Sequence, residues 1–244
     1  MYLVNHHLPN ASLLLTRAEK LAMWFIETAS SIDFADDKWE VLYVVKQGTE
    51  SSPACLAGYC TLYTFHNPIK GSKMRVCQVL VPPPYQGKGL GREMLLQVYR
   101  TASARDFVIE VTVEDPAPAF QRLRDSVDVM WWHQTSARGV SSKLIPAQVE
   151  FVKFCAEFQQ LLPAPATSGV KRSLEGLSPP PAVSQGGGPD MKNFRLRVKK
   201  HLLSLNGDLR GLSKADMQRE LTALYGDMEG RFRAVCRKKW VWGC

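Results

Sequence analysis

The first part of the chain alternates a helical pattern with short apolar runs. Residues 12–31 repeat apolar side chains every three to four positions, which predicts a helix that ends near Ala29, with Asn10 or Ser12 available as its cap. Runs rich in β-branched and aromatic residues, bounded by turn-forming residues, have the length of strands. They predict strands over residues 39–46, 55–65, 74–81 and 107–114.

Helical periodicity also follows the third and fourth predicted strands. One helix is predicted to begin at Leu90, and another to follow the sequence D-P-A-P-A at residues 115–119. A strand, a helix and a strand in succession predict a parallel crossover, whereas the first three strands, joined by turns, predict an antiparallel meander. The predicted fold class is α/β in the α+β sense, with a mixed, mostly antiparallel sheet flanked by helices and a small carboxy-terminal helical region.

The later part of the chain is predicted to be helical, with one interruption. Residues 148–162 have helical periodicity, whereas residues 163–190, with six prolines and a Gly-Gly-Gly run, predict a disordered linker. A basic helix over residues 191–206 and a second helix capped by Ser213 follow. The predicted organisation is a main α/β domain, a helical extension, the linker and the basic helices, over residues 1–135, 136–162, 163–190 and 191–244.

Charge is unevenly distributed along the 244 residues. The formal net charge is +8, but residues 1–135 carry 13 Lys and Arg against 14 Asp and Glu, whereas residues 136–244 carry 18 against 9. Nucleic-acid binding by the second half has only this charge in its favour, so no direct nucleic-acid contact is predicted.

Cysteine spacing and hydropathy give no sign of a metal site, a disulfide framework or a membrane span. The six cysteines form no C-x-x-C pair and have no partnering His spacing, so the sequence indicates neither a metal site nor a disulfide framework, and reduced thiols are predicted. No apolar run approaches the ~20 residues that a membrane span needs.

A glycine-rich turn, VLVPPPYQGKGLG over residues 79–91, is the strongest local signal for chemistry. An apolar strand ends at Val81, three alternate glycines follow, and a helix begins, so backbone N–H groups and the helix dipole are predicted to face an anion. Lys88 adds a positive charge. The spacing excludes a P-loop and a dinucleotide fingerprint, which leaves another diphosphate or a purely structural turn.

Three acidic residues are candidates for acid–base chemistry. Glu114 ends an apolar strand, where burial is predicted to raise the pKa of its carboxyl group so that it can act as a base; a solvated strand end is the alternative. Asp115 precedes Pro116 and is predicted to cap a helix. Glu27 has no helical ion-pair partner, so it either faces solvent or serves a site.

An acidic loop precedes the first predicted strand. Asp33, Asp36 and Asp37 lie next to Trp39 and predict a negative, partly aromatic rim suited to a cationic substrate. A solvated acidic loop without a binding role is the alternative.

Five segments in the same order make the chain resemble the type B histone acetyltransferase catalytic subunits of the GCN5-related N-acetyltransferase superfamily. They are MWFIETASSIDFADDKW, GYCTLYTF, QVLVPPPYQGKGLG, VTVEDP and RLRD, within residues 23–125. The resemblance makes residues 1–135 the predicted catalytic domain. It implies transfer of an acetyl group from acetyl-CoA, as cosubstrate and without a metal, to lysines of a newly synthesised histone tail such as that of histone four.

The resemblance also implies roles for individual residues. It implies a general base at Glu114 and further acidic residues near the substrate lysine at Asp115 and Glu27. Acetyl-CoA is expected to contact Val79, Leu80, Val81, Gln86, Gly87, Lys88, Gly89, Leu90, Gly91 and Arg92. The histone tail is expected to contact Trp39, Tyr63, Thr64 and Phe65.

The expected partners are a histone tail peptide and a WD-repeat histone chaperone subunit, and the expected location is nuclear and cytoplasmic. The family's amino-terminal domain, which helps to cradle the tail, is expected to be missing, and the Pro82–Pro84 triplet departs from the family pattern. Two alternatives stay open: a weakly active or inactive module that binds acetyl-CoA or histones, and a related acetyltransferase with a different amine substrate.

Overall fold

The computed structural model describes residues 2–4, 11–33, 35–162 and 191–242. Its strands are β1 (Tyr2–Val4), β2 (Trp39–Lys46), β3 (Cys55–Phe65), β4 (Ser72–Leu80) and β5 (Val108–Val113). Its helices are α1 (Ala11–Phe25), α2 (Leu90–Ser103), α3 (Pro118–Ser136), α4 (Pro146–Leu161), α5 (Met191–Leu205), α6 (Lys214–Cys236) and α7 (Lys239–Trp242). The predicted linker and the Asn10 cap lie outside the described residues.

The sheet has five strands in the order β1-β2-β3-β4-β5. The first three pairings are antiparallel and β4 pairs with β5 in parallel, so the predicted mixed, mostly antiparallel sheet with one crossover is confirmed. β1 was not predicted, because three residues are too few to show a period. Within the described residues, no helix is long and apolar enough to cross a lipid bilayer.

Both faces of the sheet are covered by helices. Val41 and Tyr43 of β2 pack into one apolar cluster with Leu15 of α1, and the alternate residues Leu42 and Val44 are also buried. The helix α2 packs against β2 and β5. This explains why β2 is a continuous apolar run.

Two helix boundaries differ from the sequence prediction. α1 ends at Phe25, four residues before Ala29, because the chain turns after the Ile26 N–H donates to the Ala22 carbonyl at 2.7 Å. α3 begins with Pro118 in its first turn, and its cap position is Ala117, which has no side-chain oxygen that could accept a hydrogen bond from the first N–H groups of the helix. The prediction that Asp115 caps this helix is therefore wrong.

The described chain forms two compact units. The first comprises residues 1–152 and 238–244, and the second comprises residues 153–237. The helix α4 belongs to both units, because its residues 146–152 lie in the first and its residues 153–161 lie in the second. The domain boundaries given by the sequence remain predictions. In the second unit α5 packs on α6 through Phe194 and Phe232, and Ser213 caps α6 by accepting a hydrogen bond from the Asp216 N–H.

Candidate active site

β4 and β5 are paired along only part of their length. Their register runs from Ser72 opposite Val108 to Val76 opposite Val113, and the Glu114 N–H donates to the Val76 carbonyl at 3.0 Å. β4 then continues to Leu80 while the chain beyond β5 turns into α3. Among the described strands, none pairs with residues 77–80 on the β5 side, which leaves a backbone edge open to an extended ligand.

The glycine turn begins where this open edge ends. After Leu80 a short 3-10 turn, Pro83–Tyr85, leads to Gly87 and Gly89, whose φ angles are 70° and 81°. Gly89 is the cap residue of α2 in the left-handed conformation, which glycine adopts at no steric cost. The first N–H groups of α2 have no acceptor within the helix, so they point from its positive end toward the turn.

The turn is held by its own side chains. Gln86 Nε2 donates to the Val81 carbonyl and Lys88 Nζ donates to the Pro84 carbonyl, both at 2.8 Å. The Tyr85 hydroxyl is 2.9 Å from Cys55 Sγ of β3. A Cβ atom added to Gly87 would meet no atom within 4 Å, so the space beside this glycine is open.

Glu114 stands at the point where the two strands separate. Its side chain is 50% exposed and Arg75 Nη1 lies 3.8 Å from its Oε1, so the buried, apolar environment predicted for this carboxyl group is wrong. The reason is the parallel register of β4 and β5. It places residues of β4, which are far from Glu114 in the sequence, beside the Glu114 side chain. The Cys77 thiol also contacts this carboxylate; burial, and then the charge of Glu114, raise the pKa of Cys77 to about 12.

Asp115 has an unusual backbone conformation directly after Glu114. Its φ angle is 29°, and its side chain is exposed. A non-glycine residue at positive φ costs free energy, and such strain is concentrated at functional sites. Asp115 lies where the chain leaves β5 and continues toward α3.

The loop that carries Glu27 is tied to the same part of β4. Gln78 Nε2 donates to the Ser30 carbonyl at 2.6 Å, and the buried Glu19 Oε1 accepts from the Ile32 N–H at 2.8 Å. Tyr59 donates its hydroxyl to Gln78 Oε1 at 3.1 Å, and burial raises the pKa of that hydroxyl. Glu27 itself is exposed.

Aromatic side chains connect Glu114 to the acidic loop. The Arg75 guanidinium lies 4.4 Å from the Phe65 ring, Phe65 contacts Tyr63 edge-on at 4.7 Å, and Tyr63 contacts Trp39 at 4.8 Å. The expected tail-contact residues Trp39, Tyr63 and Phe65 therefore form one continuous row that reaches Glu114 through Arg75. Thr64 lies between Tyr63 and Phe65 on β3, so its side chain is on the opposite face of the sheet from this row.

The acidic loop is partly used in its own turns. Asp33 Oδ1 accepts from the Ala35 N–H at 2.9 Å and Asp36 Oδ1 accepts from the Lys38 N–H at 3.0 Å. Asp36 Oδ2 also accepts from the Tyr63 hydroxyl at 3.0 Å, which joins the loop to the aromatic row. Asp37 is exposed.

A separate cleft of about 440 Å³ lies where β2 and β5 begin, at the other end of the sheet from Leu80. The Glu40–Arg105 ion pair, with two hydrogen bonds of 2.6 and 2.7 Å, forms part of its wall. Asp37 of the acidic loop and Thr64 also line this cleft. The cleft therefore borders the acidic-loop end of the candidate site, whereas the open edge, Glu114 and the glycine turn lie farther along β4 toward Leu80.

The sequence of the region that carries this site is similar to a known family. Residues 12–123 match the profile of the acetyltransferase (GNAT) family. Over this segment, which is a little less than half of the 244 residues, the chain is similar to that family.

Three curated proteins that match this chain are each named histone acetyltransferase type B catalytic subunit. The rat protein is 36% identical over 113 residues, which is 46% of this chain and 27% of the relative. The Arabidopsis thaliana protein is 32% identical over 123 residues, covering 50% of this chain and 26% of the relative. The Debaryomyces hansenii protein is 27% identical over 229 residues, covering 90% of this chain and 55% of the relative.

The chain thus spans about a quarter to a half of the length of these relatives. Among solved structures, a probable acetyltransferase overlaps 52% of this chain and 88% of its own chain, at 13% identity and a TM-score of 0.38. A TM-score at this level does not by itself support a shared fold.

Sequence reasoning missed several residues that shape the candidate site. Glu19 is 5% exposed and falls on the apolar face of α1 between Leu15 and Ala22, and a charged residue at that position was a usable signal. Arg75 and Cys77 left no such signal, because their proximity to Glu114 depends on the pairing of β4 with β5.

Proposed function

We propose that the chain is an acetyl-CoA-dependent acetyltransferase that acts on lysine side chains of a histone tail, with Glu114 as general base. The observation that carries the proposal is the separation of β4 and β5 directly beside the glycine turn, with Glu114 at its mouth. Acetyl-CoA supplies an activated acyl group as a thioester. The names of the relatives support a histone as the substrate.

The cosubstrate is proposed to bind along β4 and the turn. Val79, Leu80 and Val81 offer backbone groups of the open edge to the extended pantetheine arm. The N–H groups from Gly87 to Gly91 and the positive end of α2 then receive the pyrophosphate, with Lys88 and Arg92 nearby. Gln86 contributes by holding the turn through the Val81 carbonyl.

Glu114 is proposed to remove a proton from the substrate ammonium. A lysine side chain with a pKa near 10.4 is almost wholly protonated at neutral pH, and only the free amine attacks the thioester. The attack forms the C–N bond of the amide and breaks the C–S bond, and coenzyme A leaves as a thiolate that takes up a proton. The 50% exposure of Glu114 lets a lysine reach it from solvent, and a water molecule can relay the proton. General-base assistance is worth roughly 10²–10⁴-fold in rate.

The polypeptide around the target lysine is proposed to lie across the aromatic row. Trp39, Tyr63 and Phe65 offer flat apolar surface, and Asp36 and Asp37 offer negative charge at its far end. Such a surface favours a basic, flexible peptide. Glu27 and Asp115 are proposed to add negative charge near the lysine.

One observation favours a second function, a module that binds acetyl-CoA without efficient transfer. The Arg75 guanidinium lies 3.8 Å from the Glu114 carboxylate, and a positive charge at that point repels the substrate ammonium. The nuclear and cytoplasmic location and the WD-repeat chaperone partner remain predictions under either function.

The test is acetylation of a histone four tail peptide by the wild type, Glu114→Gln and Glu110→Gln. Glu110 lies on the same strand and pairs with Lys73, so its substitution makes the same chemical change away from the proposed site. We expect Glu114→Gln to lose roughly 10²-fold or more of the rate and Glu110→Gln to keep it. Absence of transfer by the wild type would support the binding module, and equal rates for the two variants would remove Glu114 from its role.

A further inference from the structure

The carboxy-terminal helix α7 places an aromatic ring beside the glycine turn. The Trp240 ring lies 5.2 Å from the guanidinium carbon of Arg92, which is in the first turn of α2. Lys238 Nζ lies 5.7 Å from the same ring. One indole therefore contacts two cations, one from the turn region and one from the end of the chain.

Lys238 is fixed in this position. Its Nζ donates to Ser126 Oγ of α3 at 2.8 Å, and α7 packs against α3. Burial lowers the pKa of Lys238, the charge of Asp125 raises it, and the charge of Arg122 lowers it. A half-buried ammonium beside other cations is stabilised when an anion binds to it.

The carboxylates near the cluster do not neutralise all of its charge. Glu93 accepts from Arg92 Nε at 3.1 Å, and Asp125 accepts from Gln121 Nε2 at 2.7 Å. Among the described residues, the cluster contains three cationic side chains beside these two carboxylates, those of Arg92, Arg122 and Lys238. A multiply charged anion therefore fits the cluster better than a neutral ligand.

We propose that Arg92 and Lys238, both held against Trp240, bind the 3′-phosphate of coenzyme A. This inference rests on the proposed function, which places the pyrophosphate of the cosubstrate on residues 87–91. The 3′-phosphate is carried by the ribose joined directly to that pyrophosphate, so it lies within one sugar of the turn. Trp240 is a positioning residue that keeps the two cations together.

The test is a calorimetric titration of the full chain with coenzyme A and with 3′-dephospho-coenzyme A. Charge-assisted contacts predict that the wild type binds coenzyme A about tenfold to a hundredfold more tightly. Lys238→Gln and Trp240→Leu are expected to lose most of this preference while their affinity for 3′-dephospho-coenzyme A stays the same. Lys239→Gln, which removes the exposed neighbouring charge, is the matched control and keeps the preference.

The outcomes separate the inference from the proposed function. Equal affinity of the wild type for the two ligands, or an unchanged preference in Lys238→Gln, overturns the 3′-phosphate site and leaves acetyl transfer standing. If the wild type binds neither ligand, the 3′-phosphate site and the proposed function are both contradicted. Because Trp240→Leu removes a ring that packs beneath two side chains, circular dichroism checks its fold. Arg92→Gln provides a second variant; its preference for coenzyme A over 3′-dephospho-coenzyme A is expected to fall, and because Arg92 also lies near the pyrophosphate, its affinity for both ligands is expected to fall as well.

Discussion

Gly89→Ala tests whether the backbone conformation of the glycine turn is needed for binding. The cap position of α2 has a φ angle of 81°, and an alanine there pays about 1–2 kcal/mol for the left-handed conformation. Steric overlap adds nothing, because the nearest atom to the new Cβ, Arg92 Nη2, lies 3.5 Å away. The cost therefore comes from the backbone alone.

That cost appears either in the fold or in ligand binding. If the turn keeps its conformation, the backbone cost lowers the unfolding temperature of a unit of this size by roughly 2–8 °C. Thermal denaturation measures this change. If the turn relaxes instead, the affinity for acetyl-CoA falls by up to about 5–30-fold, measured by titration. Gly89→Asn is the matched control, since Asn tolerates positive φ and is a good cap, and it should lose less. Unchanged stability and affinity in Gly89→Ala would show that the turn does not need the left-handed conformation that glycine provides.

Three further substitutions test the packing around the site and in the second unit, each measured by urea denaturation. Arg105→Gln should destabilise the first unit by about 1–3 kcal/mol, because Glu40 loses two charge-assisted hydrogen bonds. Adding Glu40→Gln should recover part of this loss of stability, and no recovery would contradict the prediction. Tyr99→Phe should cost about 1–3 kcal/mol, since the buried Asp128 loses the Tyr99 donor, whereas Tyr63→Phe at the half-buried row should cost less than about 1 kcal/mol. Ser213→Ala should cost about 1 kcal/mol by removing the cap of α6, and Ser213→Asp should retain it; equal losses would exclude capping.

Local signals explain which parts of the fold were predictable. β2 and β3 have the predicted bounds, because turn residues delimit their β-branched and aromatic runs, and α2 begins at Leu90 as predicted. The Ser213 cap also acts through its own neighbours in sequence. Each of these features depends on a few consecutive residues.

Features that depend on strand pairing were not predictable. The environment of Glu114 is decided by Arg75 and Cys77, which reach it only through the parallel register of β4 and β5. The approach of Trp240 to Arg92 likewise joins residues that lie far apart in the chain. The glycine turn was visible because its residues are consecutive, whereas the rest of the candidate site is assembled by the fold.

The most direct measurement of the central claim is the binding of acetyl-CoA to the wild-type chain. A ligand that binds only the folded state stabilises it by about 2.7 kcal/mol at a hundredfold excess over its dissociation constant. We expect a saturable heat of binding and an unfolding temperature that rises with the concentration of acetyl-CoA. No heat and no rise at saturating acetyl-CoA would contradict it.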